Sequence, residues 1–413
     1  MVDMGASRAE APAAPDADLL RSVLLEAGQT AASITLRSID VGRHGDLRGY
    51  RVVAHRTTGV EEVHHLYVEP AGSGDAAPGV VRARASSGES IDVWAYPRDP
   101  ALPALVAAAH PDGARVLLER LGVRAGTGPL DVHALSYRPH RRAAVRVRTG
   151  DATVYLKVVP PDAAHAIADR HRRWRDHGIA VPTALGWSAE GLIALAPLAG
   201  STAAEALPHL DDIESFVQRL DALRARIATT PETRAARRSL AVRADWYRDR
   251  LTVRHPECAS RLQPLAARIA AAVAVPAQEL ETIHGDFHLA QVFVQPGIAE
   301  LAVLDLDTGG IGDPADDDGA LWAHLVSTAY RTLADTERRD PALALLAALH
   351  PRRTGGQRAV RATAVAATHL LGHALAGSIP VDDALSIAEQ LLGAPDEIPL
   401  IPLSRSSHAL AGT

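Results

Sequence analysis

The 413-residue chain is 47% apolar and 22% charged, which excludes wholesale disorder and leaves room for two or three domains. Its net charge of −6, without a long basic run, argues against a nucleic-acid partner. A single cysteine, Cys258, excludes an internal disulfide and a paired-cysteine metal site.

Residues 17–28 open the periodic part of the chain as a short helix with Leu19, Leu20, Val23 and Leu24 on one face. The preceding residues 1–18 form an Ala/Pro/Asp-rich tail rather than a signal segment. No apolar run approaches the roughly 20 residues of a membrane span. A soluble, cytoplasmic protein with no membrane partner is expected.

Segments 33–40, 50–55 and 63–69 then alternate in polarity between Gly-containing turns, as antiparallel strands do. Residues 71–79 have loop composition, and 80–85 and 91–96 continue the strand character. Residues 1–97 therefore read as a small α+β module. Helices are predicted over 105–110 and 112–121, the second stopping at Gly122. Strands follow over 131–138, 143–148 and 153–159, then a helix over 163–177, then strands over 183–187 and 191–197. From Ser201 the pattern changes to long Ala/Leu/Arg helices, interrupted between about residues 282 and 314. The predicted boundaries are thus 1–97, 98–200 and 201–413.

Codon drift marks one residue. Of 43 basic Lys and Arg positions only Lys157 is lysine, and the chain contains no asparagine, the bias of a GC-rich genome. At an exposed site arginine would serve equally well, whereas a tight phosphate cleft needs the compact ammonium. Lys157 also lies in the apolar strand Val154-Tyr-Leu-Lys-Val-Val159, where a charge needs a reason.

The interruption in the helical part carries the chemistry. It reads Glu281-Thr-Ile-His-Gly-Asp-Phe-His-Leu-Ala-Gln-Val-Phe293, then Leu301-Ala-Val-Leu-Asp-Leu-Asp-Thr-Gly-Gly-Ile-Gly-Asp-Pro314. Two carboxylates and an amide carbonyl at these spacings suit one Mg²⁺, a hard cation that prefers oxygen. Phosphoryl transfer needs such parts: an aspartate to accept the proton of the attacking hydroxyl, metal ligands, and a lysine for the phosphates. Asp286 fits the base, Gln291 and Asp305 the Mg²⁺ ligands, and Lys157 the phosphate contact.

His-Gly-Asp-(x)4-Gln and Leu-Asp-(x)6-Gly-Asp-Pro-(x)2-Asp resemble the aminoglycoside-phosphotransferase-like branch of the protein-kinase-like superfamily, most closely the bacterial maltokinases and glucosamine kinases. Gln291 departs from that branch, where the first motif usually ends in Asn. The resemblance implies an α+β, bilobal kinase-like fold: a β-rich N-lobe, a helical C-lobe and an N-terminal cap. It implies ATP and Mg²⁺ as cofactors and a sugar hydroxyl as acceptor, glucosamine giving glucosamine 6-phosphate being preferred over maltose or an aminoglycoside. It also implies an adenine hinge at Ala196 and Leu198, an acidic partner for Lys157 at Asp169, and an arginine-rich loop, Tyr137 to Arg142, over the phosphates. Substrate contacts are expected at His288, Asp307, Asp316 and Trp322, with Asp313 bracing the catalytic loop and Asp317 capping the next helix. Two rivals are a metallophosphoesterase, weakened by the absence of a bridging asparagine, and an inactive kinase-like binding module.

Overall fold

The computed structural model describes residues 15–393, apart from 86, 125, 151, 278, 334 and 350–355, so most of the expected tail lies outside the described residues. Contacts divide the chain into two units. One comprises the chain up to Asp169 together with Thr183–Pro197, and the other Arg170–Pro182 with everything from Leu198 onward.

In the first unit, α1 (Ala17–Glu26) places Leu20 and Leu24 one turn apart, and both are buried against the first sheet. That sheet contains β1 (Gln29–Val41), β2 (Asp46–Arg56), β3 (Glu61–Pro70), β4 (Val80–Arg84) and β5 (Ser90–Ala95), in the order β1-β2-β3-β5-β4 and antiparallel throughout. The alternation of β2, with Tyr50, Val52 and Ala54 buried, is the period-two pattern that predicted it. Two short helices follow, α2 (Leu105–Ala108) and α3 (Pro111–Arg120), the latter opening on a proline whose missing N–H costs nothing at that position.

The second sheet contains β6 (Leu130–Arg138), β7 (Arg142–Thr149), β8 (Ala152–Val158), β9 (Ala184–Ser188) and β10 (Leu192–Leu195), in the order β6-β7-β8-β10-β9. Val145, Val147 and Leu156 of this sheet share a core with Leu105 and Leu118 of the two helices. The helix α4 (Pro161–Asp176) contains the division between the units, which falls after Asp169.

The turn between β6 and β7 is tied down by His140, which adopts a left-handed φ of 61°. Its backbone N–H donates to Asp99 Oδ2 at 2.7 Å, its Nδ1 lies 3.2 Å from Asp99 Oδ1, and its Nε2 lies 2.7 Å from Glu69 Oε1. Tyr137 adds a 2.8 Å hydroxyl bond to Asp99. Burial alone would lower the His140 pKa, but the two carboxylates outweigh it and raise the imidazole to about 9. Glu69, near the end of β3, and Asp99, just beyond the first sheet, thereby hold the arginine-rich turn.

The second unit is helical around a small framework of strands. It runs β11 (Ser201–Thr202), α5 (Ala203–Ala206), α6 (Ile213–Ala228), α7 (Ala244–Arg254), α8 (Ala259–Ala274), β12 (Glu281–Ile283), β13 (Val292–Val294), β14 (Ala302–Val303), β15 (Gly310–Gly312), α9 (Ala315–Arg331), α10 (Thr336–Leu349), α11 (Gln357–Leu375) and α12 (Val381–Gly393). Phe216, Leu220, Leu223 and Ile227 form the buried stripe of α6, spaced three and four residues apart. Helices α9 and α11 approach so closely at Gly319 that a Cβ there would lie 2.5 Å from the Ala362 carbonyl oxygen. The strand β14 is only Ala302–Val303, antiparallel to β13 on one side and bridged in parallel to Ala180 on the other, where the Val303 N–H donates to the Ala180 carbonyl at 2.8 Å. No helix among the described residues is long and apolar enough to cross a membrane.

Candidate active site

Two loops of the second unit meet through hydrogen bonds that the motif spacing alone did not reveal. The first leaves β12 at Ile283 and runs through His284, Gly285 and Asp286. Gly285 has φ +77°, and a Cβ there would lie 2.4 Å from the Thr308 carbonyl oxygen, so only glycine fits. Phe287, fully buried, anchors the far side of the loop in the helical core, a burial that stabilises by about 1.5–3 kcal/mol. The second loop leaves β14 and turns at Asp305, whose φ of 62° and ψ of 63° are left-handed, a strained conformation for a non-glycine residue.

His284 joins the two. Its Nε2–H donates to the Leu304 carbonyl at 2.8 Å, so that nitrogen carries the proton, and its own carbonyl accepts from Thr308 Oγ1 at 2.9 Å. His284 thus buttresses the loop from both its ring and its main chain. Asp317, on the first turn of α9, accepts from the backbone N–H groups of His284 at 2.8 Å and Gly285 at 2.7 Å. Burial of Asp317 nevertheless raises its pKa.

The expectation for Asp313 and Asp317 is therefore reversed. Asp317 braces the catalytic loop, while Asp313 accepts from the Ala315 N–H at the helix start and pairs with Arg361. The reason is reach: one helical turn places Asp317 on the face of α9 that meets β12, and Asp313 precedes the helix.

Asp286 keeps its side chain 25% exposed, with Arg237 Nη2 at 3.7 Å. Arg237 also donates to the Gly285 carbonyl at 2.9 Å. Burial, the largest single influence, pushes the Asp286 carboxyl up, but Arg237 together with the neighbouring imidazoles of His369, His288 and His284 outweighs it, so the group stays below the usual carboxylate range and is ionised at neutral pH. Gln291 and Asp305 are brought together by the β13–β14 pairing. Val292 faces Val303 in register, and the Leu304 N–H donates to the Gln291 carbonyl at 2.8 Å. Arg170 fixes the loop from α4, donating to the carbonyls of Leu306 at 2.8 Å and Asp307 at 3.3 Å, while Glu232 balances its charge.

The other predicted residues fall as follows. Lys157 is 9% exposed on β8, paired in register with Ala144 of β7 and Ile193 of β10. Asp169, on α4, belongs to the same unit as Lys157. The Ala196 N–H already donates to the Thr183 carbonyl at 2.9 Å, which corrects any donor role for it and leaves its carbonyl for a hinge contact. Leu198 is half-buried. Asp307 lies in the short turn after Asp305. Asp316 accepts from Ser239 Oγ at 2.5 Å and is pushed up to about 6, chiefly by burial. Trp322 is 4% exposed within the helical core, so the expected substrate contact there is a packing residue instead. Its side chain follows the buried stripe of α9.

His288 stacks on His324 of α9, with ring centroids 4.0 Å apart and planes 20° apart. His369 and His373 of α11 stand 5.5 and 5.1 Å from the His324 ring. Burial lowers all four imidazoles, His369 and His373 to about 4, so they are neutral near pH 7. Sequence reasoning singled out neither Arg237 nor this pair on α11. The spacing of His369 and His373, four residues apart on a helix, was the available signal.

These braced loops belong to a phosphotransferase. Residues 140–362, more than half of the chain, match the phosphotransferase enzyme family, and the protein belongs to that family. No curated protein matches the chain in sequence.

Similar solved structures include a thermostable mutant of the aminoglycoside phosphotransferase APH(4)-Ia in ternary complex with ADP and hygromycin B. It is 14% identical, with 68% of this chain and 97% of that one covered and a TM-score of 0.44. An aminoglycoside phosphotransferase from Streptomyces rimosus is 22% identical over 62% and 96% of the two chains, with a TM-score of 0.44. A choline/ethanolamine kinase family protein from Mesorhizobium loti is 19% identical over 68% and 93%, with a TM-score of 0.43.

Proposed function

We propose that the protein transfers the γ-phosphoryl group of ATP to a sugar hydroxyl, with glucosamine as the acceptor and glucosamine 6-phosphate as the product. The carrying observation is the pair of braced loops. An ionised Asp286 sits on a turn tied by His284 to the strained turn of Asp305. A residue held left-handed at such cost is expected where its side chain has a task.

In this reading Asp286 accepts the proton of the acceptor hydroxyl as the new O–P bond forms and the bond from the γ-phosphorus to ADP breaks. Arg237 keeps that carboxylate charged and oriented. Gln291 and Asp305 offer a carbonyl and a carboxylate oxygen, a donor set that fits Mg²⁺, and the ion would neutralise phosphate charge. Lys157 is assigned to the phosphates, the Ala196 carbonyl and the Leu198 N–H to the adenine edge, and Asp169 to orienting Lys157. Asp307 or Asp316 is assigned to the substrate ammonium. Asp316 is largely ionised at neutral pH even after its upward shift, so an electrostatic partner for a cation is present.

The test is ADP release from Mg²⁺-ATP with glucosamine, glucose, N-acetylglucosamine, maltose and an aminoglycoside as acceptors. Turnover with glucosamine well above that with glucose is expected. Turnover with maltose or the aminoglycoside and none with glucosamine would discard the acceptor assignment while leaving the reaction class intact.

A further inference from the structure

The phosphoryl-transfer chemistry uses Asp286 but, beyond the substrate contact expected of His288, gives no task to the imidazoles beside it. Ligating atoms of Asp286, His288 and His324 all lie within 4.8 Å of one another. His369 and His373 extend the group, each with its ring beside His324. His373 Nδ1 is 3.2 Å from Ser378 Oγ, while its buried Nε2 has no hydrogen-bond partner among the described residues. One carboxylate with two imidazoles, and more imidazoles in reserve, is a donor set for a borderline divalent ion such as Zn²⁺, Co²⁺ or Ni²⁺. Mg²⁺ prefers oxygen and has no use for these rings.

We infer that Asp286, His288 and His324 form a binding site for a Zn²⁺-class cation, separate in ligand chemistry from the oxygen donors at Gln291 and Asp305. Ligands about 2.0–2.2 Å from a tetrahedral ion stand roughly 3.3–3.6 Å apart. The three atoms must therefore close by at most about 1.2–1.5 Å, within the reach of side-chain rotation because none of the three residues is fully buried. Rotation of the stacked His288 and His324 rings would bring a nitrogen of each towards one point, and His369 of α11, with its ring 5.5 Å from that of His324, stands beside them as a candidate fourth ligand. The consequence rests on the proposed function: an ion on Asp286 occupies the oxygen that would accept the hydroxyl proton. Zn²⁺ occupancy therefore inhibits phosphoryl transfer, and a chelator reverses the inhibition.

The full-length protein, freed of metal by chelation, is titrated with Co²⁺ in the absence of nucleotide, following its visible ligand-field bands, and with Zn²⁺ by calorimetry. One ion per chain is expected, with bands of tetrahedral or five-coordinate intensity. His324→Phe, which keeps a flat ring in the stack, and His288→Ala should each weaken binding by about tenfold or more. Circular dichroism and thermal melting verify that the variants fold. Unchanged Co²⁺ bands in both folded variants, or no bound ion in the wild type, would overturn the site.

Activity is read separately. Ion binding without any phosphotransfer leaves the metal site standing and removes the kinase assignment. Phosphotransfer that saturating Zn²⁺ does not inhibit, despite a bound ion, would remove Asp286 from the ligand set.

Discussion

At the scale of single residues, the candidate catalytic residues stand out because local sequence marks them. An apolar strand delivers Asp305, a His-Gly-Asp turn delivers Asp286, and one lysine survives in an arginine-rich chain. Bracing groups were not legible in the same way, since Asp317 acts on backbone N–H groups 32 and 33 residues earlier. A hydrogen bond to a distant main chain leaves no pattern in composition or spacing. Asp317→Ala would leave two buried N–H groups without an acceptor, at about 1–3 kcal/mol each. A fall of roughly 2–6 kcal/mol in urea-unfolding stability is therefore expected. Asp317→Asn should lose less, because its amide oxygen still accepts. Wild-type stability in the alanine variant would show that the loop is held by other contacts.

At the scale of elements, period-two alternation and turn residues predicted the strands of both five-stranded sheets within a few residues. The turn between β6 and β7 was legible as a turn but not as a fastened one. Its partners Asp99 and Glu69 lie 41 and 71 residues away. This latch has a pH signature. His140 titrates near 9 instead of its ordinary 6.5, so its stabilising share is complete below pH 6.5 and is lost as pH rises through 9. Burial pushes Asp99 up, but hydrogen bonds from His140 outweigh it and hold the carboxyl below its ordinary 3.8. The Asp99 contribution is thus complete above pH 3.8 and fades only in stronger acid. Stability of the wild type should decline between pH 6.5 and 9, measured by urea midpoints, and His140→Gln should flatten that slope while lowering stability at pH 6.5. Equal slopes in the two proteins would mean that the imidazole carries no charge in the latch.

At the scale of the whole molecule, the sequence pattern suggested three parts in chain order, whereas contacts group the chain by spatial partners. Residues 183–197 return to the first unit because β10 pairs with β8, although residues 170–182 belong to the second. Such a return depends on strand pairing across a helix, and hydrophobic periodicity identifies strands without naming their neighbours. The same limit applies to the histidines. His288 was visible beside the catalytic motif, but its meeting with His324, His369 and His373 depends on how α9 and α11 pack.

Asp286, held ionised beside the two braced loops, is the proposed base of a phosphoryl transfer. The most direct measurement is the rate of ADP release from Mg²⁺-ATP with saturating glucosamine for the wild type and for Asp286→Asn. The variant keeps the side-chain shape and loses the proton acceptor. A fall in kcat of about 10²–10⁴-fold is expected, with unchanged nucleotide binding and an unchanged melting temperature. A kcat within a few fold of the wild type would contradict it.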